Sequence, residues 1–165
     1  MTSQTEQQAE ILWQTMFNAE QTFIGARMAF VQAVQSGDDV VPILEKALRN
    51  PSQRGMALRV LPLLDESIRQ QMFPTLMKLA AVGHSDIQLV REVIRSIPSD
   101  WVEEHVGSEV EKILDCLPTY EEYRRLAELL DLLHSPYLRT LVKRAAQSDD
   151  LDIREVASDF SSGMQ

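Results

Sequence analysis

Two short motifs alternate along this 165-residue chain, and their spacing leaves few folds open. The first reads PILEKAL at 42–48, PTLMKLA at 74–80, SEVEKIL at 108–114 and RTLVKRA at 139–145. Each copy places a lysine at its fifth position: Lys46, Lys78, Lys112 and Lys143. An aliphatic residue stands two before each: Leu44, Leu76, Val110 and Leu141. The second motif reads LRVL at 58–61, VREV at 90–93, YRRL at 123–126 and IREV at 153–156. Its arginines are Arg59, Arg91, Arg124 and Arg154. Lysines and arginines therefore recur with the same, nearly constant period. Two motifs in register over four copies mean one supersecondary unit repeated, each unit burying its apolar face on the next. One period before Arg59 stands Arg27, and one period before Lys46 stands Gln14. A fifth, N-terminal copy without the lysine is therefore expected.

The repeating unit is helical. Val90, Val93, Ile94 and Ile97 share one helix face, as do Tyr123, Leu126, Leu130 and Leu133. Strand-like alternation lasts no more than a few residues. Ser36-Gly37-Asp38, Asn50-Pro51-Ser52 and His134-Ser135-Pro136 punctuate the helices. Asp100 with Glu103 predicts a capping box, and Asn18 with Gln21 a second, weaker one. The spacing predicts a single all-α domain, 1–165, of helical hairpins at roughly 5–35, 40–64, 66–97, 99–133 and 135–160.

The length of the period, the prolines in the first helices and the Val-Arg or Ile-Arg opening of the second resemble the HEAT-repeat family. Asp86-Ile87-Gln88-Leu89-Val90-Arg91 and Asp150-Leu151-Asp152-Ile153-Arg154 carry the likeness most clearly. It covers nearly the whole chain and implies a right-handed α-solenoid of about five stacked hairpins. It also implies that Asp86 with Arg91, and Asp150 with Arg154, are structural ladder residues between repeats. Ser52, Gln53 and Thr119 stand where that pattern has acid, which predicts an interrupted ladder. Members of the family scaffold protein complexes, and a few handle tetrapyrroles or damaged DNA; a shared fold does not choose among these.

Several side chains are candidate sites. His84, His105 and His134 have no i, i+4 partner of the kind that holds a metal on a helix, so no metal site is expected and all three read as turn or helix-end residues. Cys116, the sole cysteine, excludes an intramolecular disulfide and reads as a buried, inert thiol. Glu103-Glu104 and Glu121-Glu122 are adjacent pairs that diverge on a helix rather than converge on a substrate. There is no glycine-rich phosphate loop and no nucleophile elbow, so no catalytic residue is assigned and the chain is read as no enzyme. Met16, Met28, Met56, Met72 and Met77 read either as core filling or as an adaptable groove. Trp101 reads either as a staple at a helix start or as a partner anchor. Val156 and Phe160 read either as the core of a terminal cap or as a homodimer contact through an end repeat.

Charge narrows the partner. The net charge of −9 opposes a phosphate backbone and an anionic membrane surface. Residues 41–95 carry eight basic and five acidic side chains, whereas 99–133 carry ten acids against three bases. Glu121, Glu128 and Asp131 fall on one helix face opposite the leucine stripe, and that face is either solvated or offered to a basic segment. The expectation is an adaptor that binds a protein segment on its concave face through Gln88, Arg95, Glu121, Glu128 and Asp131, with Trp101 as a further contact, and without a cofactor. A carrier or lyase-like protein for a tetrapyrrole-type cofactor is the second expectation, and nucleic-acid handling the third. The opening MTSQTEQQAE lacks the basic stretch and apolar core of a secretory signal. No apolar run approaches the ~20 residues of a spanning helix. Both observations predict a cytoplasmic protein.

Overall fold

The computed structural model describes residues 4–34, 40–116 and 118–161. Among them are nine α-helices, one 3-10 turn and no strand. No helix among the described residues is long and apolar enough to cross a membrane. The chain divides into two compact units, 1–37 and 38–165.

The first unit is a single helix, α1 (Gln4–Val34), of 31 residues. It stands where the sequence predicts a hairpin over 5–35, and this is the main correction to that expectation. Asn18 of the expected cap is spent inside the helix. The Asn18 side chain accepts from Gln14 one turn back, and the Thr15 and Thr22 hydroxyls donate to the carbonyls of Ile11 and Asn18. Nothing lies within 4 Å of where a Gly25 side chain would begin, so that glycine marks no close approach. The break at Ser36-Gly37-Asp38 lies outside the described residues.

The second unit holds four helix pairs. They are α2 (Val40–Arg49) with α3 (Pro51–Val60), and α4 (Glu66–Ala80) with α5 (Ile87–Arg95). Then come α6 (Ser99–Leu114) with α7 (Tyr120–Leu132), and α8 (Tyr137–Ala146) with α9 (Leu151–Ser161). A 3-10 turn, Leu61–Leu63, extends α3. The pairs also touch one another: α2 packs on α4, α4 on α6, α3 on α5 and α7 on α9. The first motif falls on α2, α4, α6 and α8, and the second begins on α3, α5, α7 and α9. Leu44, Leu76, Val110 and Leu141 are buried in all four copies, and so are Leu58, Val90, Tyr123 and Ile153, which precede the arginines. The four motif lysines all face solvent.

Local chemistry explains the turns. Asn50 caps α3 through its side chain, 3.1 Å from the Ser52 amide, with Pro51 at the first helical position. Arg54 Nε donates back to the Leu48 carbonyl in the last turn of α2 at 2.8 Å, and Arg154 donates to the Ser148 carbonyl just past α8 at 2.7 Å, each satisfying a carbonyl at the end of a first helix. The capping box expected at Asp100 and Glu103 does not form, because α6 begins at Ser99 after Pro98. A full box forms instead at Thr119 and Glu122, at the start of α7. Hydrogen bonds at that cap outweigh partial burial and hold the Glu122 carboxyl below its ordinary pKa. Gly107 lets Tyr137 of α8 lie against α6, since a side chain there would begin 2.7 Å from the tyrosine ring.

His134 closes α7 in the left-handed region, at φ 52°. The Ser135 amide reaches the Leu130 carbonyl and the His134 amide reaches Asp131, a complete Schellman arrangement. Glycine suits this position and histidine strains it. His134→Gly should therefore stabilise the second unit by about 0.5–1 kcal/mol. A urea-unfolding midpoint equal to or below that of the wild type contradicts this.

Candidate partner-binding surface

The acidic helix pair α6–α7 carries most of the net charge, yet much of that charge is consumed inside the second unit. Glu128 on α7 receives Arg91 of α5 at 2.6 Å and Arg125 at 3.1 Å. Burial alone would raise its pKa, but bonds from both arginines outweigh burial and hold it below the ordinary 4.5. Arg91, itself 8% exposed, thus bonds to the next helix pair through Glu128 rather than to Asp86. The Asp86 amide instead donates to His84 Nδ1, while His84 Nε2 lies 3.0 Å from the Leu79 carbonyl. That places the ring proton on Nε2 and makes His84 a bridge from α4 to α5. Asp150 accepts from the Asp152 amide, and Arg154 bonds loop carbonyls, so this pair also has other partners than each other.

Glu121 accepts the Gly83 amide at 3.0 Å and ties the α4–α5 turn to α7. Arg124 pairs with Asp159 of α9 at 2.8 Å. Glu111 of α6 takes both the Tyr137 hydroxyl and the Arg144 guanidinium of α8. Burial, joined by the Glu111 carboxylate, pushes the Tyr137 hydroxyl up to about 12. Trp101 meets Phe73 edge-on at 5.4 Å and stacks on His105 at 3.9 Å, which fits a staple between α4 and α6. Met72 and Met77 are fully buried while Met56 is exposed, so the methionines of this unit form no shared groove. Val156 is buried in the core of α9. Cys116 is a correction: it is exposed, and its thiol donates to the Lys112 carbonyl one turn back, where the sequence predicts an inert buried thiol.

Of the six residues expected to meet a partner, Gln88, Arg95 and Asp131 remain exposed and without side-chain partners among the described residues. Sequence reasoning misses Asp100, Glu103 and Glu104 as a surface, yet all three are exposed on α6 and unpaired. Glu103 and Glu104 rim an open groove of about 580 Å³ between α6 and α8, floored by Gly107, Tyr137 and Thr140. Glu103 also reaches a second recess with Arg95 and His134, and Asp131 lines a third beside Arg139. All three recesses converge on the α7–α8 turn. The signal that could have found this surface is the capping logic at Pro98. Once α6 starts at Ser99, the Asp100 and Glu103 carboxylates are released from helix capping and stand exposed with Glu104. No group of three or more His, Cys, Asp or Glu side chains among the described residues could hold a metal. Comparison with family models, curated proteins and solved structures finds no match to the chain.

Removing the Glu128 charge strands Arg91 in a nearly closed site. Glu128→Gln should cost about 2 kcal/mol at neutral pH. Because the folded carboxyl titrates below its unfolded value, that difference is complete above about pH 5.5. It shrinks as pH falls through the folded value. Denaturant unfolding of both proteins from pH 7 to pH 3 checks this, and a gap that stays constant through acid contradicts it.

Proposed function

We propose that the chain is a non-catalytic scaffold with HEAT-like stacked hairpins that holds a basic segment of a protein partner. The observation that carries this reading is the fourfold recurrence of the same buried positions, together with polar ties that join the second pair to the third and the third to the fourth. Such a stack spends its ionic groups on its own cohesion and leaves an extended surface for a partner. The carboxylates left over, Glu103, Glu104 and Asp131, are the groups a lysine- or arginine-rich segment would meet, with Arg95 beside Glu103. Glu121 and Glu128 belong to the internal ties, and Trp101 to the packing, so they support the surface without touching the partner. Rim contacts between opposite charges act mainly on encounter and on salt dependence.

The test is affinity capture from native lysate with the wild type and with Glu103→Lys, Glu104→Lys, Asp131→Lys combined, compared by quantitative mass spectrometry. A stoichiometric partner that the triple reversal and high salt both release is the expected result. A partner retained by the triple variant moves the contact elsewhere, and equal recovery of all proteins by both baits ends the scaffold reading at this surface. Circular dichroism of the variant should match the wild type, because none of the three carboxylates has a partner to lose.

A further inference from the structure

Among the described residues, the helix α1 has no second element in its own unit to cover it. Leu12, Trp13, Met16, Phe17, Phe23 and Met28 are all exposed along it. Their order is not random. Ala9, Leu12, Met16, Ala19, Phe23, Ala26, Phe30 and Ala33 recur in alternating steps of three and four. That is the heptad spacing of a helix that winds around another helix. One column of the seam is Ala9, Met16, Phe23 and Phe30, and the other is Leu12, Ala19, Ala26 and Ala33. From Met16 onward, therefore, one column is large and the other is alanine.

We propose that α1 pairs antiparallel with α1 of a second copy of this chain. In an antiparallel pair each column faces the other column of its partner. With Phe23 against Ala26 of the second copy, Phe30 falls against Ala19 and Met16 against Ala33. The two-fold axis repeats each layer in reverse, as an isologous contact requires. Each large side chain from Met16 onward then meets an alanine, so the axes keep one spacing of about 8 Å, the close end of helix packing. A parallel pair stacks Phe23 on Phe23 and Ala26 on Ala26, and no single spacing satisfies both layers.

Charge selects the same register. Glu20 and Arg27 lie one heptad apart beside the seam, in the same flanking column. Neither has an ion-pair partner among the described residues, and Arg27 rests 5.7 Å from the Phe23 ring centroid. In the register above, Glu20 of one copy meets Arg27 of the other, twice over. Sliding one heptad in one direction sets Glu20 against Glu20, and in the other direction Arg27 against Arg27. Trp13 meets Val34 at the ends of the same flank. Flanking charges of this kind set partner choice and orientation in paired helices.

The experiment is light scattering on the full chain across a concentration series, for the wild type, Glu20→Arg, Arg27→Glu and the double swap. The wild type should give twice the 18.8 kDa chain mass. Each single reversal should raise the dimer dissociation constant at least tenfold, and the double swap should restore it. Ala26→Leu, which fills the small side of the central layer, should act like a single reversal while leaving helicity by circular dichroism unchanged. A monomer at every concentration overturns the proposal, as does a dimer indifferent to the single reversals or one the double swap fails to restore.

Discussion

A ten-residue helix is marginal in water, and α2, α3 and α8 are each ten residues long. None of them can persist on its backbone hydrogen bonds alone. Each exists because its apolar stripe is covered by the other helix of its pair and by the pair beside it. The buried columns make the dependence concrete. Leu44, Leu76, Val110 and Leu141 stand at one level of the first helices, and Leu58, Val90, Tyr123 and Ile153 at one level of the second. Losing one such side chain leaves a cavity shared by neighbouring helices. Deletions of this kind typically cost about 2–5 kcal/mol.

Polar ties then fix how the pairs meet. Apolar stripes tolerate sliding, whereas a bond from a named donor to a named acceptor does not. Arg91 to Glu128, Arg124 to Asp159, Glu121 to Gly83 and Arg144 to Glu111 each cross from one pair to another. Two of the four arginines in the second motif are used this way. The other two, Arg59 and Arg154, donate to backbone carbonyls close by in sequence. One repeated residue therefore does two jobs: two copies tie to a carboxylate of the next pair, and two bond backbone carbonyls nearby. The acidity of α6 and α7 is in part the complement of these arginines, which is why a face that looks uniformly acidic in sequence is only partly so in space.

The helices of the second unit are legible in the sequence because their signals are local and redundant. Period, motif register and turn chemistry all agree around Asn50-Pro51 and His134-Ser135-Pro136. The errors share a cause as well. A serine, threonine, asparagine or aspartate marks a helix start only if no backbone or side-chain partner inside the helix claims it first. Asn18 is claimed by Gln14, and Asp100 is displaced because the cap falls at Pro98, two residues earlier. Thr119 stands out in sequence as a departure from an acidic position, although Glu122 three residues on is the cap's own signature. The site is less legible than the fold. Which carboxylates remain free depends on arginines in other helix pairs, far off along the chain, and no local pattern reports that.

The long N-terminal helix obeys a different rule from the hairpins. In α5, the apolar residues form one sharp stripe, Val90, Val93 and Ile94, and a neighbouring pair removes it from water. In α1, apolar residues occupy more than one face, with Ile11, Phe17 and Met28 lying off the Leu12–Ala33 seam. So long a helix, apolar on several sides, has more to bury than one neighbour covers. The alanines decide how the seam is used. They are strong helix formers, which lets the segment hold together without a hairpin partner. They also leave room beside Met16, Phe23 and Phe30 that only another large side chain fills. Small residues opposite large ones are wasted on solvent but are what two helices need to approach closely. The alternation of size therefore points to a helix as the surface that covers this face, more specifically than hydrophobicity alone could.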